Sequence, residues 1–346
     1  SEKETIAQMC QQLTKAAYSE TVAGTRSHII GIIRSVASNI GDYEIDDKWI
    51  EVRREIEKNP QTDKNLMITL KIIRWVHVFD QFPSLAPPFF TSSLSHSDQS
   101  IRSLALEAFA VYCYRVETEG VEQEVFHQLS RLVPRVVTLA REGTPFSRMS
   151  AIDCLSTMME RSGGTDTVLR SHIPEIVAFY CKLIEDNSMD YETRRSAVFS
   201  ILQMCKWEGA ISQIVPTLIP VILSSCLSLM SELNDDITDW ETRDNWEEGM
   251  EHVPISQRVE TALSKLVSIL KGTGIGPSLL DISTKLINNV DWKQRHAGVI
   301  GLSAVVNDCT ADSVQDALNR MISLLNDPHN RVRSAACSAI IRFFTR

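Results

Sequence analysis

The chain has 346 residues, 43% hydrophobic and 23% charged, with only 14 Gly and 12 Pro. That composition excludes collagen-like and Pro/Gly-rich disordered chains, and no stretch reaches the roughly 18 consecutive apolar residues of a membrane helix. The formal charge of −9 is concentrated in residues 232–251, where nine acids and one Arg give −8 and leave −1 for all the rest. A balanced body with one acidic segment argues against non-specific nucleic-acid binding, which needs a basic face.

The first residues, Ser1-Glu-Lys-Glu, lack both an initiator Met and the basic-then-apolar plan of a secretory signal. We therefore expect a piece of a longer protein. The eight cysteines are never closer than 21 residues, so no CxxC motif exists, and most lie in apolar runs such as Val111-Tyr-Cys113 and Ala336-Cys337. They read as reduced core residues of an intracellular chain.

Taken in chain order, the sequence repeats. Asp98…Arg102, Ala105, Ala108 sets a frame in which small residues follow an Arg by three and six positions. The frame returns at Arg148, Ala151, Cys154; at Asp190…Arg194, Ala197, Ser200; at Asp291…Arg295, Gly298, Gly301; and at Asp327…Arg333, Ala336, Ala339. Arg258 fits more loosely, and Arg26 and Lys64 share only the phase. Apart from one interval of 64 residues, the anchors lie 37 to 46 apart, a spacing that marks HEAT or armadillo arrays.

Each unit reads as a first helix, a turn with Asp, Gly, Pro or Asn, and a second helix opened by the anchor. Leu129, Leu132, Val133, Val136 and Val137 carry helical periodicity before Arg148, and Ile173, Ile176, Val177, Tyr180 and Leu183 do so before Arg194. Small residues at +3 and +6 let the first helix approach the second. One pair cannot bury both apolar faces, so neighbours stack and the core runs lengthwise. The expected fold is all-α: an α-solenoid, a right-handed superhelix of about eight HEAT repeats forming a single body over 1–346. The units fall roughly at 1–42, 43–82, 83–118, 119–163, 164–208, 209–272, 273–308 and 309–346. Pro87, Pro134, Pro174 and Pro220 fall inside first-helix patterns and are expected to bend those helices. Asp98, Arg102, Arg148, Asp190, Arg194, Asp291, Arg295, Asp327 and Arg333 are expected to form a structural ladder, each Arg pairing with its own Asp or with the next unit's.

No catalytic or metal pattern appears. The eight His (28, 77, 96, 127, 172, 252, 296 and 329) show no HExxH and no i,i+4 pair. GxSxG is absent. Gly272-Thr-Gly274-Ile-Gly276 follows a helix and lacks a Lys-Ser/Thr pair, so it reads as an inter-repeat turn. We expect no enzyme, no cofactor and no metal.

The long interval exceeds its neighbours by an acidic insertion at 232–253, between the helices of the sixth unit. It holds Asp235, Asp236, Asp239, Trp240, Glu241, Asp244, Trp246, Glu247 and Glu248. Tryptophans flanked by acids suit a basic, partly apolar partner, and the local field would speed encounter with it, most at low salt.

The paired-helix repeats, the acidic loop splitting one unit, and the stretch Asn289-Val-Asp-Trp-Lys-Gln-Arg-His-Ala-Gly298 with Leu302-Ser-Ala304 and Asp327-Pro-His-Asn-Arg-Val-Arg-Ser-Ala-Ala-Cys337 together resemble the importin-β (karyopherin-β) nuclear transport receptors. The likeness is to the importin-5 branch in particular. The resemblance implies cargo proteins with basic localisation signals bound on inner second helices, release by the GTPase Ran, and Phe-Gly nucleoporins bound between outer first helices. The family's acidic loop, which contacts Ran and basic cargo, maps onto Asp235, Asp236, Asp239, Glu241, Asp244, Glu247 and Glu248. The resemblance also implies shuttling between cytoplasm and nucleus, with no membrane and no direct nucleic-acid partner. A HEAT scaffold of another class, such as a phosphatase regulatory subunit or a microtubule- or chromosome-associated array, is the alternative; the insertion and DWKQRHAG favour the receptor.

Overall fold

The computed structural model describes residues 2–40, 48–58, 61–76, 78–119, 123–161, 168–205, 210–233, 255–305 and 311–344. Among them every regular element is a helix. None is long and apolar enough to cross a membrane. The chain divides into two compact units, Ser1–His172 and Ile173–Arg346.

The first unit holds α1 (Glu2–Ser19), α2 (Ala23–Ile40), α3 (Ile50–Glu57), α4 (Asp63–Ile73), α5 (Val78–Gln81), α6 (Ala86–Leu94), α7 (Gln99–Glu119), α8 (Gln123–Ser130), α9 (Val133–Glu142) and α10 (Pro145–Arg161). Helices pack as neighbours in sequence, α1 on α2 and α9 on α10, and again at one remove, α4 on α7 and α7 on α10. That double pattern is the stacking of helical pairs. Its deepest core is aromatic: Phe90 and Phe109 are fully buried and meet edge-on at 5.3 Å, while Phe79 packs on Phe89, Phe90 and Tyr112. Truncating either of the two buried phenylalanines would cost about 3–5 kcal/mol.

The second unit holds α11 (Ile173–Glu185), α12 (Tyr191–Met204), α13 (Ala210–Met230), α14 (Ile255–Ile269), α15 (Ile275–Ile287), α16 (Trp292–Val305), α17 (Ala311–Ser323) and α18 (Asn330–Phe344). Here α11 packs on α12 and α13, α15 on α16, and α16 on α18. The junction of the last two pairs is a cluster of Ile287, Val299, Leu302, Ala317, Met321, Val332, Ala336 and Ala339. The small residues at +3 and +6 sit where helices touch. A Cβ on Gly298 would lie 2.9 Å from the Ile287 backbone nitrogen, and one on Gly301 would lie 2.1 Å from Ser283 Oγ. Only glycine admits α15 that close to α16.

The Gly-rich stretch is a turn. Gly272 and Gly274 have φ of 81° and 87°, left-handed values that glycine adopts without strain, and α15 begins directly after them.

The prolines correct the expectation of bent helices. Pro87, Pro134 and Pro174 are each the second residue of their helix, where a missing N–H costs nothing because the first turn has no intrahelical acceptor. The chain breaks just ahead of them, in 3₁₀ turns at Pro83–Leu85 and Arg170–His172 and in a kink at 131–132. Pro220 alone of the four lies within a helix, α13.

Cys10, Cys113, Cys154, Cys181, Cys205 and Cys226 are buried free thiols, as composition suggested, but Cys337 is exposed. Helical phase explains it: Ala336 and Ala339 take the core-facing positions of α18 and turn residue 337 outward. Cys309 lies outside the described residues.

Candidate partner-binding faces

The anchor arginines act first on backbone. Arg102 donates to the His96 and Ser97 carbonyls at 2.7 Å each, and Arg295 to those of Asn289 and Val290. Arg333 does the same to Asp327 and Pro328, and Arg26 to Glu20 and Thr21. In every case the acceptors lie six and five positions back, in the turn that follows the first helix. Arg148 and Arg194 reach further, to the carbonyls of Ala140 and Ile184. Carbonyls left over at a helix C-terminus are thereby satisfied, and a cation meets the negative end of the dipole. Arg26, admitted on phase alone, has the same bonds as the others.

The ladder aspartates divide. Asp98, Asp190 and Asp291 accept backbone N–H groups of Ser100, Thr193 and Lys293 and so cap their own helices, a role the sequence reading did not give them. Asp327 accepts the His329 N–H at 2.8 Å and, unlike the others, also binds Arg295 of the preceding pair through two parallel hydrogen bonds of 2.7 and 2.9 Å. Arg194, 3% exposed, holds Glu232 in the same forked way. Glu232, at the root of the acidic insertion, is thus a structural partner. Arg102 meets Ser147 Oγ across its junction at 3.3 Å. The side chain of Arg258 and residues Asp235, Asp236, Asp239, Trp240, Glu241, Asp244, Trp246, Glu247 and Glu248 lie outside the described residues.

Two faces of the first unit offer partner chemistry. On the second-helix side, Arg74, the residue that caps the C-terminus of α4, pairs with Glu107 of α7 at 2.5 Å, and Asp153 follows on α10. Partial burial, and then the charge of Glu107, push the Asp153 carboxyl above its ordinary range. A carboxylate beside a like charge gains from an incoming cation. On the first helices, Pro87, Pro88, Thr91 and Ser92 of α6 face Gln128 of α8 and Arg131 and Leu132 of the kink across a groove of about 520 Å³. The proline breaks make it: α6 starts at Ala86, directly ahead of Pro87, and the helix opposite is interrupted ahead of Pro134, so neither backbone fills the space. Sequence reading missed this groove, although the Pro87-Pro88 pair was its visible signal.

No group of three or more His, Cys, Asp or Glu able to hold a metal occurs among the described residues.

Comparison with known proteins follows this architecture. Residues 292–343 match the HEAT-like repeat family. Importin subunit beta-3 of Saccharomyces cerevisiae is 23% identical over 270 residues, 73% of this chain and 23% of that protein. A probable importin-5 homolog of Dictyostelium discoideum is 23% identical over 164 residues, 46% of this chain and 15% of its own length. Kap121p, solved bound to Nup53p, shares the fold with a TM-score of 0.75 at 19% identity, covering 98% of this chain and 33% of that one. Its complex with RanGTP gives 0.68. The chain is thus similar over most of its length to a yeast importin subunit, and over nearly all of it to the fold of Kap121p. It spans about a quarter of the yeast relative's length.

Proposed function

We propose that the chain is the binding scaffold of a nuclear import receptor. It takes cargo with basic localisation signals on its second-helix face and acidic insertion, and Phe-Gly nucleoporins between its first helices. Ran in its GTP form releases the cargo, and the receptor shuttles between cytoplasm and nucleus. The work is done by binding alone, without catalysis.

The observation that carries this reading is the similarity to importin subunit beta-3 over 73% of the chain. The charge distribution supports it. Acids outnumber bases in the chain, and the excess is gathered in one insertion, which suits Lys/Arg-rich ligands and gives salt-dependent encounter. The Glu107 and Asp153 carboxyls on neighbouring second helices agree with a cationic ligand. The groove at Pro87, Pro88 and Leu132 has an apolar floor and the size for one aromatic side chain.

A pull-down with Ran tests the reading, using a Lys/Arg-rich cargo peptide as competitor. The GTP-loaded form is expected to be retained and to lower peptide capture, while the GDP-loaded form does neither. Equal behaviour of the two forms would overturn Ran-regulated release.

A further inference from the structure

The DWKQRHAG stretch carries more than the anchor Arg295. Trp292 opens α16, and its indole stacks on the His329 imidazole with centroids 3.8 Å apart and planes 4° from parallel. His329 lies in the turn ahead of α18, so the stack crosses from one helical pair to the next. The Arg331 guanidinium lies 5.6 Å from the indole centroid, and Lys293 Nζ lies 5.8 Å away. His329 Nδ1 accepts the backbone N–H of Arg331 at 3.3 Å, which leaves the proton of the neutral ring on Nε2. One turn along α16, His296 Nδ1 is buried without a hydrogen-bond partner among the described residues.

Both rings are built to stay neutral. A proton on His329 Nδ1 would point at the Arg331 N–H and place a charge near Arg331, Arg295 and Arg333. Asp327 and the indole face of Trp292 favour that charge, but the Asp327 carboxylate is already held by Arg295. A charge on His296 would be buried beside Arg331 and His329 with no acceptor for its Nδ1 proton.

We propose that these two imidazoles make the junction between α16 and the α17–α18 pair an acid-sensitive joint. On acidification the charged rings repel the surrounding guanidiniums, and the last pair comes away from α16 before the other helices unfold. Burial, followed by the charges of Arg331 and His329, holds His296 down at about 4, and burial and Arg331 lower His329 as well. A histidine lowered in the folded state stabilises fully above its unfolded value and loses that contribution as pH falls. For His296 the window runs from 6.5 down to about 4.

Amide hydrogen exchange on the full chain, at about pH 7.5 and about pH 5.5 and corrected for intrinsic rates, tests the joint. Protection across α17 and α18 is expected to fall by about tenfold more than across α7 and α10. Combining His296→Met with His329→Phe keeps an apolar filler and a stacked ring without charge, and is expected to remove most of that difference. An equal change in both regions of the wild-type chain would overturn the joint, as would full pH dependence in the double variant. If the variant does not fold, the wild-type comparison still decides.

Discussion

Arg295 and Asp327 form a forked ion pair across the junction of two helical pairs, with the aspartate side chain only 4% exposed. Burial alone would raise the Asp327 carboxyl. The hydrogen bonds from Arg295 and from the His329 backbone, together with the Arg295 charge, outweigh it and hold the carboxyl below its ordinary range. The same guanidinium also ties the Asn289 and Val290 carbonyls, so one side chain closes its own turn and clamps the next pair.

Removing one partner leaves the other buried and unpaired, which costs about 3–5 kcal/mol. Arg295→Ala should approach that range, because it also frees two carbonyls. Asp327→Asn, which can still accept the His329 N–H, should cost less. Chemical denaturation of the single and double variants checks this, with a favourable coupling expected. Since Asp327 is lowered, its contribution is present above the unfolded carboxylate value and fades as pH falls through the folded one.

Gly298→Ala should be the more damaging of the two helix-contact substitutions. Its Cβ would meet backbone, the Ile287 nitrogen at 2.9 Å, whereas Gly301→Ala meets the Ser283 hydroxyl, a side-chain tip that can turn away. Overpacking typically costs about 1–3 kcal/mol, less about 0.5–1 recovered in helix propensity. Melting curves that rank Gly301→Ala as the worse would contradict the packing.

Ser92→Arg should block the groove between α6 and α8 while leaving helicity unchanged, since Ser92 is exposed. Weak binding of Phe-Gly peptides, followed by NMR or by retention on an immobilised peptide, is expected to decline severalfold. Unaltered binding would move the nucleoporin site elsewhere.

Thiol labelling of the native chain should modify Cys337 rapidly and the six buried cysteines slowly. Burial pushes Cys181 up to about 11 and both Cys205 and Cys226 up to about 12, and the thiolate is the reactive form. Peptide mass mapping after a short pulse reads the order.

The repeat itself was plain in the residues because its causes are local. A period near 40, with an Arg at the head of most second helices and small residues at +3 and +6 in five of them, is a matter of spacing along the chain. What the Arg binds was less plain, since turn carbonyls carry no sequence letter. Glu232 hid among acids of the same composition, although Arg194, 38 residues earlier, had already claimed it. The prolines misled because a pattern of apolar spacing does not mark where a helix starts, and Cys337 misled because one position of phase separates core from solvent. The groove at Pro87 depends on two breaks in different helices, a relation between distant residues that no single stretch displays.

The central claim is that this helical scaffold captures basic signals through its acidic insertion and yields them to Ran. Titration of a fluorescent Lys/Arg-rich peptide against the intact chain and against a variant lacking 234–250 tests it most directly, with salt varied and Ran-GTP added last. The account predicts saturable binding that weakens with salt, drops by about tenfold or more in the deletion variant at unchanged thermal stability, and is displaced by Ran-GTP. Equal affinity of the two chains, with no displacement, would contradict it.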